Sequence, residues 1–412
     1  MACDVFETEA WFANLLAHGF ERPPHKNWEW QLPALQHGHA AHLHLMQQSP
    51  GEPLAALSTY YSCLYGPVGS VEAIHDLSAP QWRAAVQALR QLAGGAVLRL
   101  QPLEADSAWL AGLQNGLRAA GYWSDRFFCF GNWYQPVPDG GFGVYWQQRP
   151  SALRHSVERG RRRLDHAGAW RIDIHTGDAA GLDVALAAYQ TVYAQSWKQP
   201  EPCPGFMPGL VHTAAHEGWL RLGVLWLGEQ PLAAQVWLVH GGKANIYKLA
   251  YVKGQDRLSP GSILTAALME HVMDVDGVQE VDFLSGDDAY KRDWMAQRRE
   301  RVGLVAFDQR HWRGWLAGGL HLLGRWRRLW HSAGWAIFTK ARCPPKSLQR
   351  SMMRPLIPRE QALRRSMCCQ FALLGSNVVT KRKRYAEEVL KAARGVVLCC
   401  LRSLSVTDRP VT

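Results

Sequence analysis

Between Leu220 and Val252 three apolar runs follow one another with almost nothing between them: 220–227, 231–239 and 244–252. The separating segments, Gly228-Glu229-Gln230 and Gly241-Gly242-Lys243, are too short for a crossover. The three runs must therefore be antiparallel strands. A helix is predicted next over 262–273, then a strand over 278–283. Upstream, the pattern predicts a strongly basic helix over 152–167 stopped by Gly168, a strand over 169–175 and a helix over 179–197.

The first part of the chain alternates in a similar way. An amphipathic helix is expected over 4–19, closing at Gly19. An apolar, aromatic run over 54–65, closed by Gly66-Pro67, reads as a strand. A helix over 79–92 has Pro80 near its start, which suits the first turn. A buried strand over 96–100 and a helix over 107–120, stopped by Gly121, follow. Pro136, Pro138, Gly140, Gly141 and Gly143 mark a boundary. The expected class is α+β: two lobes with mixed, largely antiparallel sheets flanked by helices, over 1–150 and 151–309. The shared alternation suggests a structural duplication, although no residue-level repeat is visible.

Charge separates a third segment. Residues 1–309 carry 25 Lys and Arg against 31 Asp and Glu, a balance of −6; residues 310–412 carry 21 against 4, a balance of +17. Such a segment favours phosphate-rich partners, either anionic lipid or nucleic acid. Trp312, Trp315, Trp326, Trp330 and Trp335 alternate with Arg313, Arg325, Arg327 and Arg328. That pattern suits a helix at a membrane interface or one packed on the body. Beyond Lys340 the chain is basic and poorly patterned, disordered or loosely helical near 386–401. No uncharged apolar run reaches the ~18 residues of a membrane span. Met1–Phe20 has no basic start of a signal peptide. Nine cysteines, an odd count without a CxxC pair, fit free thiols in a reducing compartment. The expected location is the cytoplasm, with peripheral attachment to the inner membrane face through the tail.

Two stretches carry candidate chemistry. In the first, 251–264, Ser259 is a good N-cap, Pro260 fits the first helical position and Gly261 allows close approach to the backbone. Free N–H groups near Gly261 and Ser262, with Lys253 and Arg257 upstream, form a candidate pyrophosphate site. The competing reading is a plain capped helix. In the second, Asp282-Phe283-Leu284-Ser285-Gly286-Asp287-Asp288-Ala289-Tyr290-Lys291 places two carboxylates, a phenol and an ammonium in one turn. Asp287 or Asp288 can act as a base, and Lys291 can bind phosphate or polarise a carbonyl. The competing reading is a capping box, Ser285 with Asp288, for a helix over 290–299 in which Tyr290 and Trp294 share a buried face.

These motifs resemble a known family. Asp282-Phe283-Leu284, Gly286-Asp287-Asp288, Tyr290-Lys291 and Trp294 are similar to the late motif D-F-L-x-G-D-E-x-Y-K-x-x-W of CelD/BcsL-type acetyltransferase-like domains. Those domains are a GNAT branch related to the FemAB aminoacyltransferases. Asp288 stands where that motif has glutamate, one methylene longer. The run Arg159-Gly160-Arg161-Arg162-Arg163-Leu164 resembles the family's basic helix. The resemblance implies two GNAT-like lobes and transfer of an acetyl or similar acyl group from acetyl-CoA or another acyl-CoA to an amine or hydroxyl acceptor. It implies Asp287, Asp288, Tyr290 and Lys291 at the chemistry. Lys253, Arg257, Ser259, Gly261 and Ser262 would hold the donor, and Arg161, Arg162 and Tyr247 the acceptor. No metal and no tightly bound cofactor are expected, and acceptors would belong to polysaccharide or envelope biosynthesis. A FemAB-like aminoacyltransferase using aminoacyl-tRNA is the alternative enzyme; a membrane-associated assembly factor without catalysis is the alternative class.

Two other features point away from chemistry. His37, His39, His42 and His44 fall within eight residues. With no Cys or carboxylate near them in sequence, they read as an exposed strand or loop rather than a metal site. Cys203 lies among Pro200, Pro202 and Pro204 without a nearby His–Asp arrangement, which argues against a nucleophile.

Overall fold

A computed structural model describes residues 4–32, 41–69, 78–92, 94–177 and 180–340, with side chains as far as Trp326. Met1–Trp330 forms one compact unit; of 331–412, only the helix reaching Lys340 is described. Eleven strands form one sheet: β1 (Lys26–Gln31), β2 (His42–Gln47), β3 (Leu54–Ala56), β4 (Val97–Glu104), β5 (Tyr122–Pro136), β6 (Trp170–His175), β7 (Leu220–Leu227), β8 (Gln230–His240), β9 (Lys243–Tyr251), β10 (Glu280–Ser285) and β11 (Gln297–Asp308). Ten helices are described: α1 (Glu9–His18), α2 (Ala79–Gln91), α3 (Ala108–Ala119), α4 (Gly141–Gln147), α5 (Ser151–Ala167), α6 (Leu182–Ala194), α7 (Phe206–His216), α8 (Pro260–Glu270), α9 (Lys291–Trp294) and α10 (Trp312–Lys340).

The sheet order is β1-β2-β3-β4-β11-β5-β10-β9-β8-β7-β6. β3–β4 and β9–β10 are parallel, and the other neighbours are antiparallel. Helix α2 lies in the chain between the first parallel pair and α8 between the second. The order is nearly palindromic: β1 to β4 mirror β7 to β10, and the fifth strands are exchanged. β11 pairs with β4, while β5 pairs with β10. The similar alternation of elements in the two parts of the chain therefore has a topological counterpart.

The seam between the halves is aromatic. Tyr61 stacks on Phe206 of α7 at 3.8 Å, and Trp11 of α1 meets Phe206 and Tyr247 edge-on at 5.8 and 6.0 Å. Buried aromatic contacts of this kind add to the area they remove from water.

Several local expectations change. The helix expected over 4–19 is interrupted, because Thr8 caps Trp11 N–H and starts α1 after a separate 3-10 turn at Val5–Glu7. The run over 54–65 is a strand only to Ala56. Of its later residues Leu57, Tyr61, Ser62, Leu64 and Tyr65 are buried and Tyr60 is exposed, and the end is held by Tyr65 N–H to Pro102 O and Tyr65 OH to His44 O, both 2.7 Å. The helix over 290–299 shrinks to α9, and the chain from Gln297 becomes strand β11. Tyr290 and Trp294 do not share a buried face: Trp294 is 4 % exposed and Tyr290 45 %. β1, α4 and α7 were not foreseen. His42 and His44 sit on β2 with nearly buried side chains, and the Glu9 carboxylate lies 2.9 and 3.2 Å from them. That overturns the expectation of an exposed segment with no carboxylate near. His37, His39 and every feature beyond Lys340 lie outside the described residues.

Across the middle strands runs a belt of paired charges. Asp282 of β10, 1 % exposed, bonds Arg299 and Arg301 of β11. Arg299 also binds Glu280 at 2.6 Å and Asn132 Oδ1 at 2.7 Å; Arg301 binds Glu104 at 3.4 Å. Lys243 of β9 joins Asp4 at 3.1 Å and Glu280 at 3.5 Å. Burial pushes the Asp282 carboxyl up, but Arg299, Arg301, Lys243 and Asn132 outweigh it and hold it below its ordinary value. Removing one partner of a buried pair strands the others, at a cost of about 3–5 kcal/mol. Asp282→Asn should therefore lower urea stability by about that much at neutral pH. A carboxylate with a lowered folded pKa stabilises above its unfolded value of about 4. The gap between wild type and variant should thus narrow as pH falls below ~4; a gap constant to pH 3 would mean that the charge is not what stabilises.

Candidate active site

The parallel pairing of β9 with β10 runs from Lys243↔Glu280 to Asn245↔Asp282 and stops. Beyond it Ile246–Leu249 and Phe283–Ser285 become opposite walls of a cleft of about 320 Å³. Both strands are bulged at this point. On β9 the register to β8 slips so that Tyr247 is the extra residue. On β10 the register to β5 slips between Asp282 and Ser285. Leu284 takes φ 54°, a region costly for a non-glycine residue. Asp282 accepts Leu284 N–H at 2.6 Å, and Asn132 donates to Leu284 O at 3.0 Å. The charge belt thus clamps the backbone that forces the strands apart. The cleft lies at the carboxyl ends of two parallel strands, where open α/β sheets place their ligand sites.

Lys291 is 4 % exposed and donates to Phe283 O at 3.2 Å and Ser285 O at 2.5 Å. It braces the turn while lining the cleft. Burial lowers its pKa, opposed by Asp288, whose Oδ2 lies 3.9 Å away. The two adjacent carboxylates are separated by the fold. Asp288 faces the cleft. Asp287 is gripped by Arg298 through contacts of 2.7 and 3.0 Å and by Trp133 Nε1 at 2.8 Å. The Arg298 bond first, with Trp133 adding to it, lowers its pKa. Tyr290 lines the cleft, edge-on to Phe283, and burial raises its phenol. Tyr247 lines the cleft too, but its hydroxyl donates to Tyr61 O at 2.9 Å in the seam.

The cleft walls also include Tyr60, Cys63, Trp197, Lys198 and Lys248, which the sequence reading passed over. Lys248 had a visible signal: it is a charge inside an apolar strand. It pairs with Glu201 at 2.8 Å. Lys198 is lowered to about 8, by burial first and then by Lys248. Cys63 is pushed up by burial, so its thiol stays protonated. Cys203 is buried, with N–H and carbonyl both bonded to Tyr61 OH at 3.0 and 3.2 Å, and is a core residue.

At one end of the cleft Trp197 packs on Tyr251 at 4.5 Å. A Cβ on Gly261 would lie 3.1 Å from the Tyr251 ring. Trp197 and Tyr251 thus stand between the cleft and the start of α8, none of whose residues lines it. Pro260 opens that helix as expected, but Ser259 does not cap it: its φ is 51° and its side chain makes no cap bond. The first helical backbone bond there is Ile263 N–H to Ser259 O, so the N–H groups of Gly261 and Ser262 precede the intrahelical ladder. Lys253 and Arg257, just upstream in the chain, are exposed and do not line the cleft. Helix α5 lies against the same turn. Gly160 packs so closely that a Cβ would sit 2.6 Å from Leu258 O, and Arg163 donates to Arg257 O at 2.6 Å. Arg161 and Arg162 of α5 are exposed and do not line the cleft.

Gly160→Ala tests this close approach. Alanine favours a helix interior by about 1 kcal/mol over glycine. Overpacking against a backbone carbonyl costs about 1–3 kcal/mol. The clash should win, and the variant should unfold at lower urea; a more stable variant would show that α5 does not rest on the turn.

Residues 151–292 match the family model of an acetyltransferase (GNAT) domain. No curated protein sequence matches the chain. Among solved structures, FemX is 12 % identical, with TM-score 0.55 over 74 % of this chain and 92 % of that one. The C-terminal DUF2156 domain of a putative lysylphosphatidylglycerol synthetase from Agrobacterium fabrum is 14 % identical, with TM-score 0.44 over 67 % and 83 %. L-PGS from Bacillus licheniformis is 12 % identical, with TM-score 0.42 over 77 % and 96 %. At these identities the likeness is one of fold, and of the three FemX carries it. The chain has a GNAT-like fold, and residues 151–292 within it match the GNAT acetyltransferase domain.

Proposed function

We propose that the cleft transfers an acyl group from an acyl-CoA thioester to an amine or hydroxyl acceptor. The observation that carries this reading is the parting of β9 and β10 into a cleft, with the uncapped start of α8 beyond the Trp197 and Tyr251 rings at its edge. A pyrophosphate suits that start, with the Gly261 and Ser262 N–H groups and the Lys253 and Arg257 charges around it. The acyl arm would enter between the strands, where the β9 edge past Asn245 has no ladder partner from β10. A backbone N–H there can stabilise the oxyanion. The acceptor nitrogen or oxygen bonds the thioester carbon and the carbon–sulfur bond breaks. Asp288 takes the acceptor's proton. Tyr290, whose phenol lines the cleft, gives one to the departing thiolate. Lys291 holds the turn that carries both, and Asp287 anchors it to Arg298. No covalent intermediate is needed, since holding the reactants together supplies much of the acceleration.

The likeness to CelD/BcsL domains extends the reading to acceptors of polysaccharide or envelope synthesis. Residues 1–150 and 151–309 are then two duplicated halves, of which the second binds the donor. The rival donor is an aminoacyl-tRNA. Acetyl-CoA, but neither ATP nor aminoacyl-tRNA, should raise the melting temperature of the full chain, and Arg257→Glu should abolish the shift. Asp288→Asn should lower turnover by about 10²-fold or more, while Asp287→Asn should act on stability. Stabilisation by aminoacyl-tRNA alone would sink the acyl-CoA reading.

Helix α10 supports attachment to an anionic membrane. Among the described residues no helix is long and apolar enough to cross one. Trp312, Trp315, Leu316, Leu322, Leu323 and Trp326 are each at least half exposed, and a +17 segment begins there. The same helix is tied to the body through His321 and Arg325 on Asp125 and Trp315 Nε1 on Gln309 O, so surface substitutions test it better than truncation. The chain should sediment with phosphatidylglycerol vesicles at low salt and be released at high salt. Leu316→Asp with Leu323→Asp should prevent this; unchanged sedimentation would send the surface to another partner.

A further inference from the structure

Far along the sheet from the β9–β10 cleft, three polar groups converge on one point. His42 and His44 alternate on β2 and so project from the same face. Their Nε2 atoms are 3.2 Å apart. Glu9, the first residue of α1, places Oε1 2.9 Å from His42 Nε2 and Oε2 3.2 Å from His44 Nε2. With neutral rings and an ionised carboxylate, no placement of protons satisfies this triangle. If both Nε2 atoms carry hydrogen, two N–H groups face each other. If one does not, its lone pair faces a carboxylate oxygen. Either way one contact joins groups of like polarity. A cation at the centre is attracted by all three.

The donors are also held in place. His42 exchanges both backbone bonds with Val68, at 2.9 and 3.0 Å. The His44 carbonyl accepts from Tyr65 OH and Leu57 N–H, and Phe12 packs on its ring at 4.2 Å. Glu9 follows the Thr8 cap. The histidine side chains are 13 % and 8 % exposed while that of Glu9 is 60 % exposed, so a fourth position would open towards solvent beside Glu9. Two zinc–nitrogen bonds of about 2.0–2.1 Å at a tetrahedral angle put their nitrogens about 3.3 Å apart, close to the spacing here. Imidazole with one carboxylate suits zinc and its first-row neighbours, and not calcium or magnesium, which take oxygen ligands.

We propose that Glu9, His42 and His44 bind one zinc ion that fastens the start of α1 to β2. The test uses the full chain, stripped with chelator and titrated with zinc by calorimetry and with cobalt by visible absorption. One equivalent should bind with a tetrahedral nitrogen–oxygen cobalt spectrum and no thiolate charge-transfer band. Zinc should raise the melting temperature. Glu9→Gln and His42→Gln, both at positions with some exposure, should each weaken binding at least about tenfold and remove the thermal shift. No stoichiometric uptake, a thiolate band, or uptake that both variants leave unchanged would overturn the proposal. Circular dichroism of the stripped variants separates lost ligation from lost folding; if His42→Gln unfolds, the largely exposed Glu9→Gln decides.

Discussion

Asp282 is where the architecture and the candidate chemistry meet. It pairs with two arginines arriving from β11, a strand that enters the sheet from the end of the second half. With its other carboxylate oxygen it accepts the Leu284 N–H. The first set of contacts fixes the exchanged strand. The second holds a leucine in a left-handed conformation that parts β10 from β9. One buried carboxylate therefore joins the halves and opens the cleft. Its neighbours Asn132, Glu104, Glu280 and Lys243 extend that control over five adjacent strands. Such a network is costly unless every member is satisfied, and that is what ties its register so tightly.

Strand exchange has a consequence for the site. The cleft wall formed by β10 is supported on its other side by β5 of the first half, and Asn132 of β5 bonds Leu284 O directly. Tyr60 and Cys63, from the segment after β3, complete the wall facing Tyr247. The first half is thus part of the cleft even though the matched acetyltransferase domain lies wholly in the second. Helix α5 supports the start of α8, where the absence of a side chain at Gly160 lets it touch the turn before that helix.

Much of this was legible in the residues. The β7–β8–β9 meander followed from two short glycine turns, α5 from its stop at Gly168, and the start of α8 from Pro260. The cleft membership of Asp288, Tyr290 and Lys291 followed from one motif. What escaped was the assignment of roles inside it. Asp287 and Asp288 are adjacent and chemically identical, and only Arg298 and Trp133, brought from distant strands, separate an anchored carboxylate from an accessible one. Ser259 had the composition of a cap, but its φ of 51° turns the side chain away from the helix. Glu9 and the two β2 histidines are more than thirty residues apart, so spacing could not unite them.

Local spacing, turn residues and charge runs determined by themselves the β7–β8–β9 meander, the helices α5 and α8, the α+β class and the basic character of the last hundred residues. These depend on interactions a few residues long, which sequence order preserves. The single sheet with exchanged fifth strands, the parting of β9 from β10 and the Glu9–His42–His44 triangle were decided by tertiary structure alone. Each needs side chains or backbone groups from different elements to meet at about 3 Å. Which groups meet depends on how the whole sheet closes around its buried charges.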